Sequence, residues 1–339
     1  GMMIKLLDAS SVKSMPGIKD AFTIKTLTED YERNGFDTTS FLELGVIVGN
    51  TTWEVMNAKK ALKVEFELMP AYTMTMQQWG RGKVTAIMPK GLESTEGHRA
   101  EMEKASKGKG DILRKDGNPE EAFKNAAKVL ERTYTAPHLA HNTMEPANCF
   151  ANVTADKAEL YGPIQAPGFI IETLAARLKM PKEKIQIKLA RMGGGFGVRA
   201  YGHHLVEAAV ISQTIKAPVK LVYTREDDMT YGIYRPAYTA TYKAALDKDN
   251  NLIAFHVKGG GIPEHPIHAN RFPAGAVDNY LAEGWAIPSN ITIGAFRAPR
   301  SNFNAAAEQC FLDELAELAG KDPIDFRLEL LERAKTNPV

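Results

Sequence analysis

The sequence predicts an α+β fold, and three observations carry that expectation. Short alternating strands pair across polar turns, as Cys149 to Val153 and Lys157 to Tyr161 do around Thr154-Ala155-Asp156. Apolar helical segments follow strands without the strict alternation that a doubly wound parallel sheet requires. The composition, 44% hydrophobic and 24% charged, is that of a packed globular chain. At roughly 100–200 residues per domain, the 339 residues favour two domains.

Each element has a local reason. Thr51 to Leu62 carries helical periodicity, and Lys63 to Glu67 reads as a short strand. Residues 74–118 are more polar, and Lys104 to Gly110 reads as a flexible basic loop, so boundaries are expected after 73 and after 118. Asn118 is a candidate N-cap with Pro119 at the first helical position, which predicts a helix over Pro119 to Glu131. A helix over Pro167 to Lys179 and a strand from Ile185 to Leu189 come next, then an apolar helix over Leu205 to Thr214 and a strand over Val219 to Tyr223. Tyr238 to Leu246 and Leu252 to Val257 bracket Asp247 to Asn251 as a second hairpin, whereas residues 259–290 show no clean period. Ala305 to Ala319 predicts a helix ended by Gly320, and Asp322-Pro323 starts another.

Composition also bounds function. A net charge of +1 offers no electrostatic argument for nucleic acid. No run of about 18 apolar residues predicts a membrane span. Lys5, Asp8, Lys13 and Lys19 interrupt any apolar core of a signal peptide, and nothing assigns the chain to the cytoplasm or the periplasm. Two cysteines are too few for a disulfide framework or an iron–sulfur cluster, so redox chemistry would need a cofactor held by other means.

The strand Ile185-Gln-Ile-Lys-Leu189 runs into Gly193-Gly194-Gly195-Phe196-Gly197, with a helical pattern opening at His204. Glycine admits positive φ and turns successive N–H groups toward an anion, and a helix N-terminus adds partial positive charge. Unaided, the same run also reads as a tight turn that packs closely and binds nothing. His138-Leu-Ala-His141-Asn-Thr-Met-Glu145-Pro146 holds two histidines and a carboxylate at a spacing that fits no helical or hairpin ligand pair, so no metal ligand is assigned there. Gln165, between Pro163 and Pro167, offers an amide to an oxo or carbonyl oxygen, or serves as a turn residue. Arg297 and Arg300 offer guanidiniums for an anion, or are surface charges. The acids of Glu308 to Glu314 equally fit a solvated helix face.

Together and in order, these segments resemble the molybdenum-binding large subunit of the xanthine dehydrogenase and aldehyde oxidase family, in its isoquinoline 1-oxidoreductase branch. The resemblance rests on Ala140 to Pro146, Gln165-Ala-Pro167, Gly193 to Gly197 with Glu207-Ala-Ala, Phe296-Arg297 followed by Asn304 and Glu308, and Asp313 to Arg327. It covers residues 120–335. The stretch from Asp8 to Glu67, with Met15-Pro-Gly-Ile18, is similar to the end of that family's hammerhead domain. The implied architecture is a partial hammerhead-like domain over 1–73, a flexible polar connection over 74–118, and the first part of a mixed α/β molybdopterin-binding domain over 119–339.

The resemblance further implies that Gly193, Gly194, Gly195, Phe196 and Gly197 lie against the pterin and the metal's apical side. It sets Gln165 at the apical oxo ligand, Arg297 in the substrate-side segment and Glu145 near the substrate pocket. The metal would be held by a molybdopterin-type cofactor, in its dinucleotide form, with no protein side chain ligating it directly. Family members hydroxylate an aldehyde carbon, or a carbon beside a ring nitrogen, with oxygen from water, and pass electrons to a small [2Fe-2S] subunit. The family's base glutamate lies in a region this sequence does not match, so no catalytic residue is assigned. The chain is then expected to be a portion of the subunit, inactive until a second chain completes it. A non-catalytic nucleotide- or phosphate-binding module, and an interaction module, are the alternatives.

Overall fold

A computed structural model gives the fold for residues 1–28, 31–37, 43–78, 82–230 and 233–334. The chain opens with β1 (Met2–Asp8), α1 (Ser10–Lys13), β2 (Ile18–Ile24), β3 (Leu44–Gly49), α2 (Thr52–Ala61) and β4 (Lys63–Leu68). It continues through β5 (Tyr72–Gln78), β6 (Gly82–Met88), α3 (Thr95–Lys107), β7 (Asp111–Asp116), α4 (Pro119–Lys124) and β8 (Lys128–Ala136). The next elements are β9 (Asn148–Val153), β10 (Ala158–Gly162), α5 (Pro167–Leu178), β11 (Ile185–Leu189), α6 (His203–Ile215), β12 (Val219–Val222) and α7 (Arg225–Thr230). Last are β13 (Ala237–Leu246), β14 (Leu252–Ile262), β15 (Asn279–Ala286), α8 (Ser301–Ala319) and α9 (Pro323–Glu332). Strands and helices mix without regular alternation, as the patterning predicts. No helix of the described residues is long and apolar enough to cross a membrane.

The chain forms two compact units, each assembled from three separate stretches. The first comprises residues 1–93, 140–235 and 290–296. Its main sheet has the order β11-β10-β9-β12, parallel between β10 and β11 and antiparallel elsewhere. Cys149, Ala151, Val153, Ala158, Leu160 and Ile185 give the sheet an apolar face, and α5 and α6 cover it through Ile170, Leu174, Leu205, Val206 and Ala209. Helix α6 is buried from His204 through Ser212, so its pattern is apolar nearly all round rather than striped. Burying one such leucine contributes about 1.5–3 kcal/mol. The hydroxyl of Ser212, at the end of that buried stretch, accepts from Val153 N at 3.0 Å and donates to Ala217 O at 2.8 Å.

The second unit comprises residues 94–139, 236–289 and 297–339. Its sheet runs β7-β15-β14-β13-β8, parallel only between β14 and β15. Helix α8 lays Phe303, Phe311, Leu312 and Leu315 on Tyr238, Tyr242 and Phe255, and α9 adds Phe326 and Leu330 to the same core. Gly320 ends α8 in the left-handed region at φ 70°, and the Asp322 carboxylate caps α9 through the N–H groups of Ile324 and Asp325.

Four expectations need correction. Residues 74–118 are not a flexible connection: they contain the β5-β6 hairpin, α3 and β7. Lys104 to Lys107 form the last turn of α3, which Ser94 caps at Gly97 N and the Glu103–Lys107 pair supports. The helix predicted to reach Glu131 stops at Lys124, because Lys128 to Ala136 pairs with β13 along its whole length and tertiary pairing overrides the local pattern. Residues 119–339 do not form one compact body, since the stretches 140–235 and 290–296 fold with the N-terminal segment. The strand predicted to end at Val257 continues to Ile262 through Gly259-Gly260-Gly261. Those glycines hide the alternation, and a Cβ at Gly260 would lie 2.0 Å from the Trp285 ring.

Candidate cofactor-binding site

The glycine run lies in the first unit, where β11 leaves its sheet and before α6 begins. Ala190 N donates to Gly162 O, continuing the parallel pairing by one residue. The chain then pairs with the 143–148 segment: Glu145 N donates to Gly193 O at 3.1 Å, and Gly193 N donates to Glu145 Oε2 at 2.8 Å. Gly194, at φ 103°, and Gly197, at φ 115°, take conformations that L side chains rarely adopt. Gly197 also passes so close to residue 295 that a Cβ there would lie 2.1 Å from Ala295 O. Ala295 is itself held, because its carbonyl accepts from His141 Nε2 at 2.8 Å and its N–H donates to the Tyr201 hydroxyl. The Phe296 ring faces His141 at a centroid distance of 4.8 Å.

This seating leaves the turn with unused donors. Among the described residues, the N–H groups of Gly194, Gly195, Phe196 and Gly197 donate to no protein acceptor. Beneath them the stem of Arg199 runs under Gly195, with Arg199 Cγ 3.2 Å from where a Cβ would stand. Arg199 is 1% exposed. Its Nη2 donates to Glu145 O at 2.5 Å, and its Nε has no partner among the described residues. Burial pulls this guanidinium below its ordinary value, while the charges of Asp228 and Glu145 oppose the shift. Four open backbone donors over a buried, incompletely paired cation suit an anionic or oxygen-rich ligand.

The other predicted residues are distributed as follows. Gln165 joins the same unit: its backbone N–H donates to Arg199 O at 2.8 Å, and its side chain is exposed at the start of α5. Glu145 is half-buried, with Oε1 accepting from Asn148 Nδ2 at 3.0 Å while Oε2 holds Gly193. Arg297 is exposed and belongs to the second unit, where its carbonyl accepts from Asn302 Nδ2.

Sequence reasoning quoted Glu207 only as part of the resemblance and gave no role to the buried polar group it forms on α6. Glu207 on α6 is 2% exposed and accepts from the Tyr223 hydroxyl at 2.6 Å through Oε2. Burial pushes its carboxyl up to about 8, an effect the Tyr223 bond only partly offsets, so it carries a proton near neutral pH. Burial likewise holds His203 down at about 3, helped by the Arg199 charge, and keeps it neutral. Glu207 and His203 line a small cavity with Asp37, Thr173 and Phe36, and no predicted site residue takes part in it. A lone glutamate inside the apolar run Leu205-Val-Glu-Ala-Ala-Val-Ile211 was the available signal.

The profile of the molybdopterin cofactor-binding domain matches residues 103–331, more than half of the chain. The chain belongs to this molybdopterin cofactor-binding domain family. Within curated proteins, it is 30% identical over 240 residues to the membrane-bound aldehyde dehydrogenase [pyrroloquinoline-quinone] of Gluconacetobacter polyoxogenes, covering 64% of this chain and 31% of that protein. It is 28% identical over 219 residues to the aldehyde oxidoreductase molybdenum-binding subunit PaoC of Escherichia coli K12, covering 62% of this chain and 30% of PaoC. The aldehyde oxidoreductase of Desulfovibrio gigas shares the fold, with a TM-score of 0.72, 19% identity, and coverage of 99% of this chain and 39% of that one. This molybdopterin-domain chain therefore spans under a third of the length of the two curated relatives.

Proposed function

We propose that this chain forms the glycine-turn wall of a molybdopterin site in an oxidoreductase that hydroxylates an aldehyde or an N-heterocycle with oxygen from water. The observation that carries the reading is the row of four unused N–H donors from Gly194 to Gly197 above the buried Arg199, in a chain of this family. The cofactor, when bound, supplies two-electron redox chemistry at molybdenum. The chain's own contribution is binding and orientation. Gly194, Gly195, Phe196 and Gly197 donate to the cofactor's anionic, oxygen-rich side, the Gln165 amide donates to an oxo group, and Gly193 anchors the turn. Arg297 offers an exposed guanidinium for an anionic group.

The dinucleotide form of the cofactor belongs to the same proposal, since a second phosphate would extend the anionic surface the donors meet. A small [2Fe-2S] subunit as electron acceptor, and further polypeptide completing the site, complete it. Two relatives named for aldehydes favour that substrate class.

Metal analysis tests the reading, with pterin measured by fluorescence after oxidation, on the protein purified from cells that make molybdopterin. Stoichiometric molybdenum and pterin, with turnover of an aldehyde or isoquinoline-type substrate once the complete enzyme is assembled, are expected. Thermal stabilisation by free nucleotides, together with no pterin in the assembled protein, would overturn it in favour of a phosphate-binding module.

A further inference from the structure

Every polar atom of Glu145 is engaged, most of them in holding the glycine turn. Its N–H donates to Gly193 O, and its Oε2 accepts from Gly193 N. Its backbone carbonyl accepts both from Arg199 Nη2 at 2.5 Å and from the Thr143 hydroxyl at 2.7 Å. Its remaining carboxylate oxygen accepts from Asn148 Nδ2, and that same amide also donates to Pro146 O. The two backbones run so close that a Cβ on Gly193 would lie 2.5 Å from Glu145 Cβ. Thr143 is fully buried, so the segment carrying Glu145 is anchored from below.

We infer that Glu145 is a positioning residue: it captures the first N–H of the glycine run and thereby aims the next four at the ligand. This rests on the cofactor reading above. With Gly193 tied at both its N–H and its carbonyl, the positive-φ conformation at Gly194 starts from a fixed point. A carboxylate accepting a backbone N–H is a charge-assisted bond, stronger than a neutral one. Both oxygens accept from the chain itself, Oε2 from the glycine run and Oε1 from Asn148. The residue the resemblance sets near the substrate pocket is thus placed where it shapes the turn.

The test compares Glu145→Gln and Glu145→Ala with the unaltered protein by two readouts. Hydrogen–deuterium exchange follows the amide of Gly193 and its neighbours, and pterin fluorescence after oxidation follows cofactor retention. Loss of one charge-assisted hydrogen bond should accelerate Gly193 exchange by ~10- to 100-fold in Glu145→Ala. Glu145→Gln keeps one acceptor oxygen and should fall between, so the order survives even if the alanine variant folds poorly. Pterin retention should weaken in the same order, on the order of 10-fold for the larger change, as for other outer-shell supports of a metal site. Unchanged exchange in both variants overturns the proposal. So does faster exchange with unchanged retention, which makes the contact purely structural. Absence of pterin from the unaltered assembled protein defeats the cofactor reading instead, while the exchange data still decide whether the clamp exists.

Discussion

Glu207 takes up a proton on folding, and that makes stability depend on pH in a direction opposite to that of most carboxylates. Its folded carboxyl titrates at about 8, whereas the unfolded chain keeps the ordinary value of 4.5. Between those values the folded state binds the extra proton, so stability is full below 4.5 and falls as pH rises toward 8. His203 works the other way. Its folded value of about 3 lies below the ordinary 6.5, so the unfolded chain binds the proton and stability falls as pH drops through that window. Above 6.5 the histidine's contribution fades, and Glu207 supplies the falling slope there, against a rising one from the Gly1 amino group that burial holds below its ordinary 8.0. Between 6.5 and 8 the stability of Glu207→Gln, followed by thermal unfolding, should therefore fall less with pH than that of the unaltered protein. The glutamine oxygen can still accept from Tyr223, so the hydrogen bond survives the change. An identical slope in both proteins would assign the titration to another group.

At the scale of the element, the glycine turn after β11 and the first turn of α5 depend on glycine unequally. Gly197→Ala forces a Cβ to 2.1 Å from Ala295 O at a φ of 115°. Strain of that kind costs about 1–3 kcal/mol before the clash is relieved. Gly168 in the first turn of α5 has nothing within 4 Å of its would-be Cβ. Gly168→Ala should be neutral or stabilise by about 0.4–1 kcal/mol through the unfolded chain's lost entropy. The denaturant midpoint should fall for Gly197→Ala and hold or rise for Gly168→Ala; an unchanged midpoint for Gly197→Ala would mean that the turn relaxes freely. These contrasts also mark what the sequence makes legible. The glycine run, the helix caps at Gly320 and Asp322, and the hairpin around Thr154 follow from local chemistry that a sequence displays. Strand β8 does not, because the pairing that fixes Lys128 to Ala136 as a strand is with β13, far along the chain. Glu145 was visible as a carboxylate, but its bond to Gly193 spans 48 positions and no spacing encodes it. Arg199 and Glu207 escaped for the same reason: burial is a property of the packed unit, and it is burial that shifts the titration of both.

For the whole molecule, the decisive feature is that each compact unit draws on three stretches of chain. Neither can be cut out as one continuous piece. The first unit receives its last contribution, residues 290–296, only after most of the second unit's sequence has passed. That short stretch supplies Ala295, on which Gly197 and His141 both close. A ribosome adding about 5–20 residues per second leaves the glycine turn without its seat for several seconds after the turn itself is made. Pulse proteolysis of stalled nascent chains should find Arg199 open to trypsin when synthesis stops at residue 289, and closed once residue 296 and the α8 helix have emerged. Protection at the earlier stall would show that the turn forms without Ala295. During biosynthesis, then, the order of translation sets a waiting period in which the turn's donors exist before Ala295, the residue that seats them, has been made.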